Sequence, residues 1–170
     1  MRQSGFTLIE LVVTIAVLVA VSTIAIPAFQ SSIGNAQIRT VTESIRNGLQ
    51  QARAEAIKRN ARVRFTLQAN SAWQIGCVTV GADCPTVITQ KSAVEGSSDN
   101  TTVSADNYSV VFSSFGTRDP SAASALTVVN ITNSQVKSEE RKALRVMLNA
   151  GGNVKVCDPS VNVVGDTRTC

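Results

Sequence analysis

The hydrophobic pattern changes its period twice along the chain. From Phe6 to Ile26 the residues are almost all Leu, Ile, Val, Ala and small hydroxyls, with a single ionisable side chain, Glu10. As a helix this run reaches roughly 30 Å, the thickness of a bilayer's hydrocarbon core, so it predicts a membrane-spanning helix. Further on, Ile38, Val41, Ile45, Leu49, Ala52 and Ala56 recur at three- and four-residue steps. That spacing predicts an amphipathic helix with one buried stripe. After residue 60 the period falls to two: in Arg62-Val63-Arg64-Phe65-Thr66-Leu67, the residues Val63, Phe65 and Leu67 share one face of a strand.

Further strands are predicted at Trp73–Val80, Thr86–Thr89, Tyr108–Phe112, Leu126–Ile131, Ala143–Leu148 and Asn153–Cys157. Gly81-Ala82-Asp83, Gly96-Ser97-Ser98-Asp99-Asn100 and Gly151-Gly152-Asn153 supply turns between them. Residues 95–107 read as an exposed polar loop, and Ser134–Arg141 as a polar connection. The expected fold class is α+β: one helix from Phe6 to about Asn60, kinked near Pro27 and loosened at Gly34, with an antiparallel sheet packed over residues 30–60. Trp73, the one tryptophan, is expected as a core or rim residue of its strand.

Charge refines this picture. Seven bases stand against two acids between Arg39 and Arg64, whereas Phe65 to Cys170 carries eight bases and nine acids. The net +4 therefore belongs to one stretch, which reads as a solvated helix face or as a surface for acidic partners or nucleic acid. Glu43 with Arg46, and Glu55 with Arg59, sit at same-face spacing. Aromatics are only 4% of the chain, so the core is built from aliphatic side chains.

Cys77, Cys84, Cys157 and Cys170 form two local pairs by spacing, and a domain carried across a membrane lies where disulfides persist. Cys77–Cys84 and Cys157–Cys170 are the expected bridges, although four cysteines allow three connectivities. A metal site is the poorer reading, because there is no histidine and the spacings do not match a zinc knuckle.

Glu10 is the chemical anomaly. An acidic charge at the centre of a membrane costs roughly 2.5 to 3.5 kcal/mol even on insertion scales, so it calls for a cationic partner. The string Gly5-Phe6-Thr7-Leu8-Ile9-Glu10 closely resembles the processing site of type IV prepilins and type II secretion pseudopilins. The resemblance includes the short polar leader Met1–Ser4, the unbroken apolar run and the proline at 27. It implies a leader at residues 1–5 and a transmembrane helix half at 6–29. An amphipathic half at 30–60 and a β-rich periplasmic or extracellular domain at 61–170 complete the pilin-like layout. It also implies that a prepilin peptidase cuts between Gly5 and Phe6 and methylates the new amine of Phe6. Glu10 would then pair with the N-terminal amine of a neighbouring subunit.

Within that family, LQQARAEAIKRNARVRF at 49–65, VVFSSFGTRDP at 110–120 and LRVMLNAGGNVKVCDPS at 144–160 resemble the GspH/FimT group of minor pilins and pseudopilins. The implied function is a minor pilin that helps initiate or cap a type IV pilus. The alternatives are a pseudopilin of a type II secretion system and a DNA-binding minor pilin for natural transformation. Implied partners are other major and minor pilins, the inner-membrane assembly platform and, before assembly, membrane lipid. The implied location is the bacterial inner membrane, single-pass with the C-terminal domain in the periplasm, and then the filament. DNA capture is the weaker alternative, since the group's basic tail is here Gly152-Asn153-Val154-Lys155 with only Arg168 further on. Lys155 and Arg168 are the candidate DNA contacts. Catalysis is not expected: there is no histidine for an acid–base dyad, no recognisable carboxylate pair, and no lysine beside Gly151-Gly152 for a phosphate loop. No cofactor or metal is implied.

Overall fold

The computed structural model describes residues 7–93, 100–122, 124–163 and 165–170, with the backbone alone at 24–28. Helix α1 runs Leu8–Arg59, 52 residues. Thr7 caps its start, its hydroxyl accepting from the Glu10 amide at 3.3 Å. Asn60 ends it in the left-handed region, φ 48°, with its amide satisfying the Ala56 and Ile57 carbonyls, and Lys58 and Arg59 lie favourably in the negative last turn.

Eight strands follow: β1 Val63–Leu67, β2 Trp73–Cys77, β3 Thr89–Lys91, β4 Thr101–Ala105, β5 Ser109–Phe112, β6 Val128–Asn133, β7 Leu144–Leu148 and β8 Val154–Cys157. They form two antiparallel four-stranded sheets, ordered β3-β2-β1-β5 and β4-β6-β7-β8, rather than one. Both pack on the second half of α1. The predicted stripe from Ile38 to Ala56 is fully buried at all six positions, against Phe65, Ile75, Phe112, Val129, Ile131 and Val146. Trp73 is buried in β2, its ring 5.8 Å from that of Phe65 and its indole N–H donating to the Ser44 hydroxyl at 3.0 Å.

The expectations for the 95–107 loop and for Gly34 need correction. The polar loop at 95–107 contains β4, which pairs residue by residue with β6 from Thr101↔Asn133 to Ala105↔Val129. Its Thr-Thr-Val-Ser-Ala sequence carries too little apolar alternation to register as a strand, and the partner edge of β6 supplies the order. Gly34 does not loosen the helix. It is buried where α1 meets the β6–β7 connection, and a Cβ there would stand 2.3 Å from Val136 Cγ2. The glycine serves close approach, not flexibility. Helical backbone continues through Pro27, as expected of a single helix.

The first half of α1 lies clear of the sheets, and Leu8, Ile9, Leu11, Leu18 and Val21 are all exposed. Among the described residues no helix is long and apolar enough to cross a membrane. The run from Phe6 to Ile26 has both ends among residues whose side chains lie outside that description.

Candidate assembly surfaces

Two regions of the molecule carry candidate function: the bare helix half and the C-terminal end of the second sheet. On the helix, Glu10 is exposed in the first turn among exposed Ile9 and Leu11. Among the described residues its carboxylate has no ion-pair partner. Gly5 and Phe6, the expected cleavage pair, lie outside the described residues.

At the other region two disulfides close local loops. Cys77 bridges Cys84, and Cys157 bridges Cys170, the two pairs expected from spacing. The second bridge draws the C-terminus back beside β8, where the Asp158 amide donates to the Arg168 carbonyl at 2.8 Å and Asp158 and Thr169 form a parallel bridge. Lys155 donates from Nζ to the Thr169 carbonyl at 2.7 Å. Arg168 clasps Asp166 through two nitrogens, Nη2 at 2.7 Å from Oδ2 and Nε at 3.1 Å from Oδ1. Those guanidinium bonds, joined by the Arg168 amide, hold the Asp166 carboxyl down to about 2, and the same pair raises the Arg168 guanidinium. The two candidate DNA contacts therefore meet on one clamp, and both are engaged within it.

Elsewhere the carboxylates organise turns. For Asp106, burial pushes its carboxyl up, but the Thr127 hydroxyl and the amides of Thr127, Val128 and Asn107 together outweigh it and hold the group below its ordinary value. For Asp119, the Ser121 hydroxyl and amide dominate, aided by Arg62 at 3.5 Å, and its carboxyl is likewise lowered. Three of the seven bases in the basic stretch are ion-paired, and a fourth is hydrogen-bonded. Glu43 holds Arg46, Glu55 holds Arg59, Asp119 holds Arg62, and Arg53 donates to Asn153 Oδ1 at 2.9 Å.

An open groove of about 840 Å³ lies between α1 and the clamp. Ser32, Asn35, Ala36 and Arg39 form one wall, Thr167 and Arg168 the other, and Leu144 and Val156 line it from the sheet. Asn35 pins the β6–β7 connection to the helix, donating to the Glu140 carbonyl and accepting from the Lys142 amide, each at 2.9 Å. Sequence reasoning singled out Arg39 only as the start of the basic stretch and missed Asn35 and Lys142 as site residues. No local signal could have found them, because the partners of Asn35 are more than a hundred positions away.

A family profile described as type II transport protein GspH matches residues 41–152, and one described as the prokaryotic N-terminal methylation motif matches residues 1–26. A search of curated proteins found no match. Among solved structures, the chain is similar to the type IV minor pilin FimU of Pseudomonas aeruginosa strain PAO1 in two crystal forms. The form in space group P21 gives a TM-score of 0.52 at 14% identity, over 70% of this chain and 87% of that one. The form in P65 gives 0.50 at 15% identity, over 69% and 90%. At such identity the likeness establishes the fold: a long N-terminal helix laid against antiparallel sheets. With two thirds of the sequence matched by one profile and residues 1–26 by the other, this chain belongs to the type IV pilin and pseudopilin family, within its GspH group.

Proposed function

We propose that this protein is a minor pilin that helps initiate or cap a type IV pilus. The observation that carries the reading is a methylation signal at 1–26 leading into a helix half whose apolar side chains the protein's own sheets leave uncovered. Such a surface needs another environment, first lipid and then the packed helices of a filament. In this reading a prepilin peptidase cuts between Gly5 and Phe6 and methylates Phe6. The chain waits in the inner membrane with its domain in the periplasm, and the assembly platform then inserts it among other pilins. Glu10 pairs with the terminal amine of a neighbour, since two opposite charges that are costly alone become tolerable together in low dielectric. Its task is registration of subunits, a structural role and not a catalytic one. The likeness to a pilus subunit supports the pilus over other filaments of the family.

The alternative is a type II secretion pseudopilin, and the description of the matching family favours it. Deletion of the gene separates the two. Loss of sheared surface pili with protein secretion intact supports the pilus reading, and retained piliation with lost secretion replaces it by the alternative. DNA capture has less support, because Lys155 and Arg168 are occupied within the clamp.

A further inference from the structure

The groove beside the clamp borders a strand whose outer edge is open. β8 ends the order of its sheet, with β7 on one side only. In an antiparallel ladder, residues alternate between bonding their neighbour and pointing away from it. Two bonds fix the phase here. The Asn149 amide donates to the Asn153 carbonyl, and the Asp158 amide turns outward to the Arg168 carbonyl. With the pairs Met147↔Lys155 and Arg145↔Cys157 facing inward, Val154 and Val156 must turn their N–H and C=O groups to the free edge. No backbone partner satisfies those groups among the described residues.

The surroundings of that edge have a definite chemistry. Leu144 and Val156 give the groove an apolar lining, while Arg39, Lys142 and Arg168 stand around it against one acid, Asp158. Arg168 is already paired with Asp166, and the Asp158 carboxylate accepts from Ser160. Among the described residues neither the Arg39 guanidinium nor the Lys142 ammonium has a hydrogen-bond or ion-pair partner. The volume of about 840 Å³ falls in the range of clefts that hold compact ligands.

We propose that this groove binds an extended acidic segment of a partner protein, which adds as a strand to the outer edge of β8 and sets its carboxylates against Arg39 and Lys142. An added strand fits both demands on its groove-facing side, where apolar side chains would meet Leu144 and Val156 and carboxylates would reach Arg39 and Lys142 along the groove's walls. A polynucleotide fits poorly: a sugar–phosphate backbone cannot match the alternating N–H and C=O groups of a strand edge, and an apolar lining offers it nothing.

The test uses the full-length protein in detergent micelles and a capped peptide repeating Val-Val-Glu-Glu, which sets both side-chain types on each face of a strand. The expected result is saturable binding with slowed hydrogen exchange at the Val154 and Val156 amides, and weaker binding by the glutamine counterpart. Val156→Pro removes one outward donor without touching the β7 ladder, and edge strands tolerate proline. It should weaken binding roughly three- to tenfold. Arg39→Glu, on an exposed helix face, should weaken it about tenfold or more and guards against misfolding of the proline variant. Absence of binding near 1 mM peptide, on the order of the weakest specific contacts, overturns the proposal. So does binding lost in Arg39→Glu but untouched by a folded Val156→Pro variant, which would make the contact purely electrostatic. Displacement of the peptide by a short DNA duplex that binds more tightly would reassign the groove to nucleic acid and also overturn it.

Discussion

Asn35 and Glu140 lie 105 residues apart in sequence and 2.9 Å apart across one hydrogen bond, from the Asn35 side-chain amide to the Glu140 carbonyl. Because Asn35 Oδ1 also accepts from the Lys142 amide, one side chain fixes the β6–β7 connection to α1 and so shapes a wall of the groove. Asn35→Ala removes both bonds. Each is worth about 1 kcal/mol net, so the variant should be destabilised by about 1–2 kcal/mol, with faster hydrogen exchange at Lys142. An unchanged exchange rate at that amide would deny Asn35 this role.

Gly48 tests the packing of the first sheet on the helix. A Cβ at this position would stand 2.8 Å from Phe65 Cε2 and 3.0 Å from Trp73 Cε2. Gly48→Val adds helix-facing bulk where none fits, and overpacking of this kind costs about 1–3 kcal/mol. A lowered melting temperature with altered Trp73 fluorescence is the expected outcome. A melting temperature at or above that of the parent protein contradicts the tight contact.

The Cys157–Cys170 bridge closes a 13-residue separation and holds the clamp against β8. Replacing both cysteines by serine should cost about 2–4 kcal/mol on the loop-entropy account. Denaturant unfolding measures that loss. Exchange at the Asp158 amide, bonded to the Arg168 carbonyl, reports whether the clamp itself opens.

The clamp should also respond to acid. Asp166 titrates at about 2 when folded, below its ordinary 3.8, because Arg168 holds the charged form. A depressed carboxyl pKa contributes stability that is complete above the unfolded value and is lost as pH falls through the folded one. The window is therefore from about pH 4 down to about pH 2. NMR shifts of Asp166 and Arg168 in the folded protein should move together with a midpoint at about pH 2, and Asp166→Asn should abolish the coupled change. A midpoint for Asp166 near 4 would show that the guanidinium does not hold it.

Glu10→Ala tests registration in the filament. Cleavage at Gly5 should proceed as in the parent protein, while incorporation into sheared filaments falls several-fold, since the neighbour's amine loses its counter-ion. Immunoblots of cells and sheared filaments separate the two steps. Full incorporation of the variant would remove Glu10 from assembly.

How much of this was legible depended on how local the determining interactions are. The stripe from Ile38 to Ala56 is a helical repeat, and every predicted member is buried. The alternation at Val63, Phe65 and Leu67 likewise reads directly as β1 with its buried face. β4 was hidden because Thr101–Ala105 is ordered by the edge of β6 and not by its own pattern. Gly34 was misread for the same reason, since what it accommodates is Val136 from a distant loop.

By itself the sequence determined the long helix, its two unlike halves, the β-rich domain and, through Gly5 to Glu10, the family, and it favoured the two disulfide pairs. These rest on short-range periodicity and spacing, which a linear chain displays openly. Only the tertiary structure decided that the strands divide into two sheets, that Lys155 and Arg168 spend their charge on the clamp, and that Arg39, Lys142 and Val156 meet around one groove. Those residues come from a helix, a loop and an edge strand, and only the packing of the second sheet on α1 brings them together.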